Sequence, residues 1–475
     1  MRIEQKKTAL VKEAIEQEEL LFQAKNLHEG PVHLLFPQEL KTNIEMFRST
    51  FEELEVPYQI YFALKASSKL SFSKQAKKEG IRIDVASRKE LVLALEAGFQ
   101  GKEIECSGPK NNSFIQLATL HGCLISIDSI SELQKICDLT KILNTKADIL
   151  IRISDLEIKD RKLTIKNSKF GIRKSELEEI YNILNNNSLL ILKGFHFHND
   201  GYNSESKAGF LEEMLEVCEN AYTKGFEPTL LNIGGSWRTN NLENPQDWYR
   251  FVELLESELI KGANTQLLGN ETLGMKISEK GRILGREAAI QKWYPSSFEK
   301  DLNHILRNDS LRERELRNYI QENLFEVLVE PGFSLLQNCG ITLVNVIGTK
   351  HSKDGDLLII SDANIYNLST ARLFEITSDP ILIKKRKTEE NGSSGFIVGN
   401  LCMEDDIIIK KRVYFDSMPE EGDLLCFLNT AAYISHFEDA SPILQAKGKS
   451  ICLIRDKNTK KLKLISEEQY NPYSD

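Results

Sequence analysis

Lys65 stands behind the apolar run Tyr61-Phe62-Ala63-Leu64, and seven later apolar runs likewise end in polar residues or glycine. Asp84 closes the second, Arg152 stands near the end of the fifth, and His196 and His198 close the sixth. Gly234-Gly235-Ser236 follows the seventh and Glu330 the eighth. A lysine in a partly desolvated, electropositive pocket loses its proton more easily and becomes an amine able to bond an aldehyde. A carboxylate keeps a ring nitrogen protonated through the opposite-charge effect on its pKa. A histidine stacks flat on an aromatic ring, and glycines directly after a strand let backbone N–H groups close around a phosphate. Each signal is weak singly, since a lysine after a strand is usually a solvated end and Gly-Gly also simply ends strands. Together they make a site for an aromatic, phosphorylated aldehyde.

Residues so far apart in sequence meet only if regular elements carry them. Runs at 58–64, 81–84, 103–106, 124–128, 147–153, 190–197, 230–233 and 325–329 read as strands. Helix-period segments lie between them at 89–98, 113–121, 131–139, 175–185 and 208–225, several opening on serine and two closing on glycine. This alternation predicts an α/β fold, a closed parallel (β/α)8 TIM-like barrel over 55–335, with an open doubly wound sheet as the rival. Barrels carry their chemistry at the C-terminal strand ends, where the residues above stand. Residues 1–30 read as a charged amphipathic helix and 32–36 as a strand; this 1–54 segment is expected to join a C-terminal antiparallel β domain at 336–475. The interval after Gly235 is too long for one barrel helix. Its excess, about 240–317, to which Trp237, Trp248, Trp293 and Tyr294 are assigned, is an insertion expected to overhang the active-site face, either as a lid or as a peripheral element.

The balance of 61 basic and 70 acidic residues, net −9, has no long block of one sign, which argues against a nucleic-acid partner. No apolar stretch approaches the roughly 18 residues of a membrane span, and the first residues are charged where a secretion signal is apolar. A soluble, cytoplasmic protein is expected. The eight cysteines form no C-x-x-C pair, so they read as reduced, mostly buried residues, with no disulfide framework and no metal site.

The combination of amine, carboxylate, histidine and phosphate cradle describes a pyridoxal 5'-phosphate site, in which the cofactor is the electron sink. Here the chain resembles the fold-type III pyridoxal-phosphate decarboxylases, the group acting on diaminopimelate, ornithine and arginine. The matching stretches are Tyr61-Phe62-Ala63-Leu64-Lys65-Ala66, Asp84-Val85-Ala86-Ser87 with Glu90, Ser168-Lys169-Phe170-Gly171, Gly194-Phe195-His196-Phe197-His198, Gly234-Gly235, Glu330-Pro331-Gly332, Gly399 with Cys402, and Ala432-Tyr433. The resemblance implies that Lys65 is the Schiff-base lysine, that His198 stacks on the cofactor ring and that Glu330 bonds the pyridine nitrogen. It assigns the phosphate to Gly234, Gly235, Ser236 and Tyr433, with Gly332 beside the cofactor and Asp84 and Arg152 orienting the polar network. It implies a homodimer with shared sites, in which a partner subunit supplies Cys402 to protonate the intermediate after carbon dioxide leaves an amino-acid substrate.

Four departures bear on that substrate. Phe333 stands where the family has arginine, and the segment His196-Phe197-His198-Asn199-Asp200-Gly201 lacks the family's phosphate-contacting serine. Met403 replaces the acidic residue expected after the cysteine, and the arginine segment that grips the distal end of diaminopimelate is not recognisable in 362–369, although Arg372 is near. Replacing arginine by phenylalanine removes a match to the ligand rather than adjusting it. A specialised decarboxylase acting on a modified or carrier-linked amino acid therefore fits better than one acting on diaminopimelate or ornithine. The alternatives are a racemase or epimerase on the same fold and a non-catalytic regulator.

Overall fold

A computed structural model describes residues 1–474 except 159–162, 165–167, 200–203, 264, 269–270, 291–295, 310–313, 369–377, 387–390 and 437–441. Gly201, Trp293, Tyr294 and Arg372 lie outside the described residues. Eight parallel strands close into a barrel: Tyr58–Ala63, Arg82–Val85, Ile104–Cys106, Leu124–Ile127, Ala147–Arg152, Leu190–His196, Leu230–Asn232 and Glu326–Val329. They are rich in Ile, Leu and Val because both of their faces are covered, by helices outside and by facing strands inside. Side-chain caps start the intervening helices: Ser87 accepts from the Glu90 N–H, Asn111 from Phe114 and Ser129 from Glu132.

The register explains why polar groups gather at one end. Leu124, Leu150, Leu230 and Leu328 point inward and, with Tyr61, plug the lower part of the barrel. Side chains on a strand return to the same face every second residue. The next inward positions are therefore Ser126, Arg152, Asn232 and Glu330. Neighbouring strands pair Ala63 with Asp84, Asp84 with Glu105, and His196 with both Arg152 and Asn232.

A second sheet of nine strands is built from Val32–Leu35 and the C-terminal part of the chain. Val32–Leu35 lies between Gly340–His351, antiparallel to it, and Lys449–Arg455, parallel to it. The strands Leu357–Ser361 and Ser393–Val398 are also parallel, so the sheet is largely rather than wholly antiparallel. Both exceptions join strands separated by long connections, which permit the crossover that a tight hairpin forbids.

The N-terminal segment holds two helices, Ala9–Glu16 and Glu18–Lys25, instead of one continuous helix. Gln17, at φ −86° and ψ 61°, leaves the helical region and breaks them apart. Their buried faces, including Leu10, Val11, Leu21 and Ala24, pack on the second sheet. The interval after the seventh barrel strand has two parts. Phe298–Leu306 packs against Ser204–Thr223 and Leu40–Glu53, in the place of an ordinary barrel helix. The earlier part, with the helix Gln246–Ile260, has its own core of Trp248, Phe251, Val252 and Leu255 joined by Ile3. It also ties to the second sheet, where Leu268 N–H donates to Lys410 O and Arg412 N–H to Gln266 O, each at 2.8 Å. Among the described residues, no helix is long and apolar enough to cross a membrane.

Candidate active site

Lys65 sits in a short 3-10 turn, Leu64–Ala66, immediately beyond the first barrel strand, and is partly buried. Asp84, Glu105, Asn232, His196 and Glu330 are all buried in the mouth of the same barrel. Asn232 Nδ2 donates to both Glu105 oxygens at 2.9 Å and to Glu330 Oε1 at 2.7 Å. Ser126 Oγ lies 2.8 Å from His196 Nδ1, and His196 Nε2 lies 3.4 Å from Glu330 Oε1.

Three carboxyl groups this close cannot all ionise, and their surroundings divide the charge. Burial, followed by the Glu330 charge, pushes Asp84 up to about 7. Burial, then Glu330 and Asp84, raises Glu105 well above its usual value. Burial also opposes the charge on Glu330, but His196, Lys65, His198 and the Asn232 hydrogen bond overcome it and hold Glu330 down to about 2. Burial pushes His196 down to about 3, although the Glu330 charge opposes the shift, and Lys65 and Arg152 are further positive charges beside this pair. For Lys65 burial acts first, lowering its pKa, yet Asp84 and Glu330 outweigh burial and leave the ammonium above its usual value. The sequence predicted an electropositive pocket that loosens this proton. The folded chain instead surrounds Lys65 with carboxyl groups that hold it.

The double-glycine turn after Leu230–Asn232 has no room for side chains. A Cβ on Gly235 would lie 2.7 Å from Glu330 O, and one on Gly234 2.7 Å from His198 Nδ1. Gly234 has φ +69°, and Ser236 follows at φ +61°, a left-handed conformation that non-glycine residues rarely adopt. Gly235 N–H donates to His198 Nδ1 at 3.2 Å. Tyr433 reaches this face from the C-terminal part of the chain: its N–H donates to Ala66 O at 2.8 Å, next to Lys65. A Cβ on Gly332 would lie 2.9 Å from Ala66 Cβ and 3.4 Å from the Tyr433 hydroxyl. Glycine at 332 therefore lets the eighth strand end, the lysine turn and Tyr433 converge.

Arg152 is held by Asp128 at 4.0 Å and by the Phe170 ring, whose centroid lies 4.7 Å from its guanidinium carbon. Asp128 also accepts from Gly171 N–H at 3.0 Å, so Ser168-Lys169-Phe170-Gly171 packs as a buttress on the fifth strand. Phe333 is half-buried and packs against the barrel core. Cys402 is exposed on the loop between the second-sheet strands Ser393–Val398 and Ile407–Phe415. That loop is shaped by Asp406, which accepts from Leu401 and Ile365 N–H at 2.8 and 2.9 Å. Glu105, Ser126, Asn232 and Lys207 were not singled out from sequence, and Trp237 was read only as an aromatic residue of the insertion. Glu105, Ser126 and Asn232 carried a legible signal, as polar residues at inward strand positions within apolar runs.

The residues present fit pyridoxal phosphate: a turn whose glycines admit a close anion, an ionised buried carboxylate, an imidazole and an amine share one barrel mouth. The buried Asp84 Oδ1 has no hydrogen-bond partner there. Residues 38–284 match the family of the pyridoxal-dependent decarboxylase, pyridoxal binding domain. The chain is 29% identical to a diaminopimelate decarboxylase of Bacillus methanolicus, over 74% of this chain and 86% of that one. It is 24% identical to the L-glutamyl-[BtrI acyl-carrier protein] decarboxylase of Niallia circulans, over 79% of this chain and 78% of that protein. A crystal structure of diaminopimelate decarboxylase from Helicobacter pylori with L-lysine superposes with a TM-score of 0.68, at 19% identity, covering 94% of this chain and 95% of that one.

Proposed function

The chain belongs to the pyridoxal-dependent decarboxylases, and on that premise we propose that Lys65 is its cofactor-bonding amine in the decarboxylation of an amino-acid substrate. The observation that carries the proposal is the convergence of Lys65, ionised Glu330 and the Gly234–Gly235–Ser236 turn in one barrel mouth. Bound pyridoxal phosphate supplies an aldehyde and an electron-poor ring that accepts the electron pair left when the Cα–carboxylate bond breaks.

The protein's share is protonation and orientation. Lys65 must release a proton from Nζ before its nitrogen can form a bond, and Asp84, poised at about 7, is a nearby acceptor. Glu330, fixed by Asn232, holds a proton on the ring nitrogen by its negative charge. His198, anchored by Gly235 N–H, flanks the ring, while the Ser236 N–H at the end of the glycine turn and the Tyr433 hydroxyl bind the phosphate. A carboxylate opposite the ring nitrogen, where the related alanine racemases use arginine, favours decarboxylation over racemisation.

Cys402 returns the proton to Cα across the interface of a homodimer. Its exposure on the second sheet supports that placement, as do exposed Met403, Ile443 and Leu444 nearby, linked through Asn400 to Gln445 at 3.1 Å. Phe333 in place of arginine favours a substrate other than diaminopimelate. The carrier-linked glutamyl group named for the Niallia circulans relative supports a carrier-linked or otherwise modified amino acid.

Purified protein should show a visible absorbance band of bound cofactor that Lys65→Ala abolishes. It should also release carbon dioxide from at least one member of a panel of free and carrier-linked amino acids followed by mass spectrometry. A protein that stays colourless after cofactor addition would refute the proposal, as would solvent deuterium exchange at Cα without carbon dioxide release.

A further inference from the structure

Lys207 is a buried lysine, 3% exposed, on the helix Ser204–Thr223, and none of the steps above uses it. Its Nζ donates to the Gly235 carbonyl and lies 3.7 Å from the centroid of the Trp237 ring. Trp237 Nε1 in turn donates to the Gly234 carbonyl at 2.9 Å. The Gly234 carbonyl is thus tied down by the indole together with the Glu330 N–H at 3.1 Å, and the Gly235 carbonyl by the cation that covers that indole.

The peptide bonds here are trans, so each carbonyl points opposite to the N–H of the following residue. Holding Gly234 O with Trp237 and the Glu330 N–H aims Gly235 N–H at His198, whose Nδ1 accepts it. Tying Gly235 O to Lys207 turns Ser236 N–H away from the helix. The left-handed Ser236 is a strained position that persists only when its surroundings fix it. We propose that Lys207 and Trp237 are positioning residues that lock this turn with its Ser236 N–H presented to the cofactor phosphate, the Gly234 and Gly235 amides being taken by Asn232 and His198. In that role Lys207 supplies from behind the turn a positive charge that Phe333, standing in place of arginine, does not.

Two further observations support this. Lys207 makes no ion pair among the described residues; Asp301 and Glu330 act on it only through space, while burial pushes it down to about 7. An anion brought to the turn favours its charged form. Trp237 is held edge-on at 5.0 Å by Phe298, on the helix that also carries Asp301, so the element following the insertion backs the clamp.

The inference rests on the reading of this turn as the phosphate cradle, and the test separates the two. Full-length protein is equilibrated with graded pyridoxal 5'-phosphate or with pyridoxal, which lacks the phosphate, and bound ligand is measured. Wild type should prefer the phosphorylated form. Lys207→Met should weaken pyridoxal 5'-phosphate about tenfold or more while changing pyridoxal less than about twofold, the loss expected for one charge-assisted interaction. Equal weakening of both ligands, or unchanged discrimination in a variant with native near-UV circular dichroism, would overturn the proposal. Should Lys207→Met not fold, Trp237→Phe keeps an aromatic face for Lys207 but loses the indole bond to Gly234 O, and a selective loss in the same direction is required of it. A wild-type protein that does not distinguish the two ligands would remove the cradle reading, and this proposal with it.

Discussion

Asp84 gives the barrel mouth a measurable pH signature. Its pKa rises from 3.8 to about 7 on folding, so between those values the native state binds a proton that the unfolded state does not. Stability contributed in this way is present at low pH and declines as pH rises through that window. Asp84→Asn, a neutral mimic of the protonated acid, should therefore gain stability relative to wild type as pH climbs toward about 7. The difference is on the order of a few kcal/mol, and denaturant titrations of the cofactor-free protein at stepped pH would measure it. A constant difference between the two proteins across the range would contradict the assignment. Sequence showed that Asp84 stands at a strand end, but its protonation depends on Glu330, a residue 246 positions away by subtraction of the two numbers. Only closure of the barrel places those two carboxyl groups together.

At the scale of the element, the helix Phe298–Leu306 links the insertion to the site. Phe298 is fully buried, stacked on Phe47 at 3.6 Å and edge-on to Trp237 at 5.0 Å. Phe298→Ala should cost about 3–5 kcal/mol in denaturant unfolding, as truncation of a buried aromatic generally does. Because Trp237 loses its backing, the variant should also release pyridoxal 5'-phosphate faster than a core truncation of similar cost on the far side of the barrel. Periodicity alone does not show which part of the long interval completes the barrel. Phe298, Leu302 and Ile305 make an ordinary apolar stripe, and packing against both neighbouring helices is what identifies the element.

For the whole molecule, the decisive expectation concerns two chains. Lys65 lies partly buried in the barrel mouth, while Cys402 is exposed on a loop of the second sheet. On the proposed homodimer, inactive Lys65→Ala and Cys402→Ala chains should complement one another when mixed under exchange. Random pairing makes half of the dimers hybrids with one intact site of two, hence about a quarter of wild-type activity. Absence of recovery, with subunit exchange verified, would show that the site is not shared.

The barrel and the family were legible in the sequence because each depends on local order: apolar runs of strand length, serine caps, glycine stops, and short motifs at the strand ends. The strand that joins the two ends of the chain, Val32–Leu35, was legible as a strand, but its parallel pairing with Lys449–Arg455 was not, since pairing is a relation between distant segments. The same limit applies to charge. Sequence supplied a lysine, an aspartate and a glutamate, and the fold decided that Lys65 keeps its proton, Glu330 loses one and Asp84 stands between them. Residue types and spacing determine which chemistry is available. Burial and distance determine which groups are charged, and they exist only once the barrel has closed.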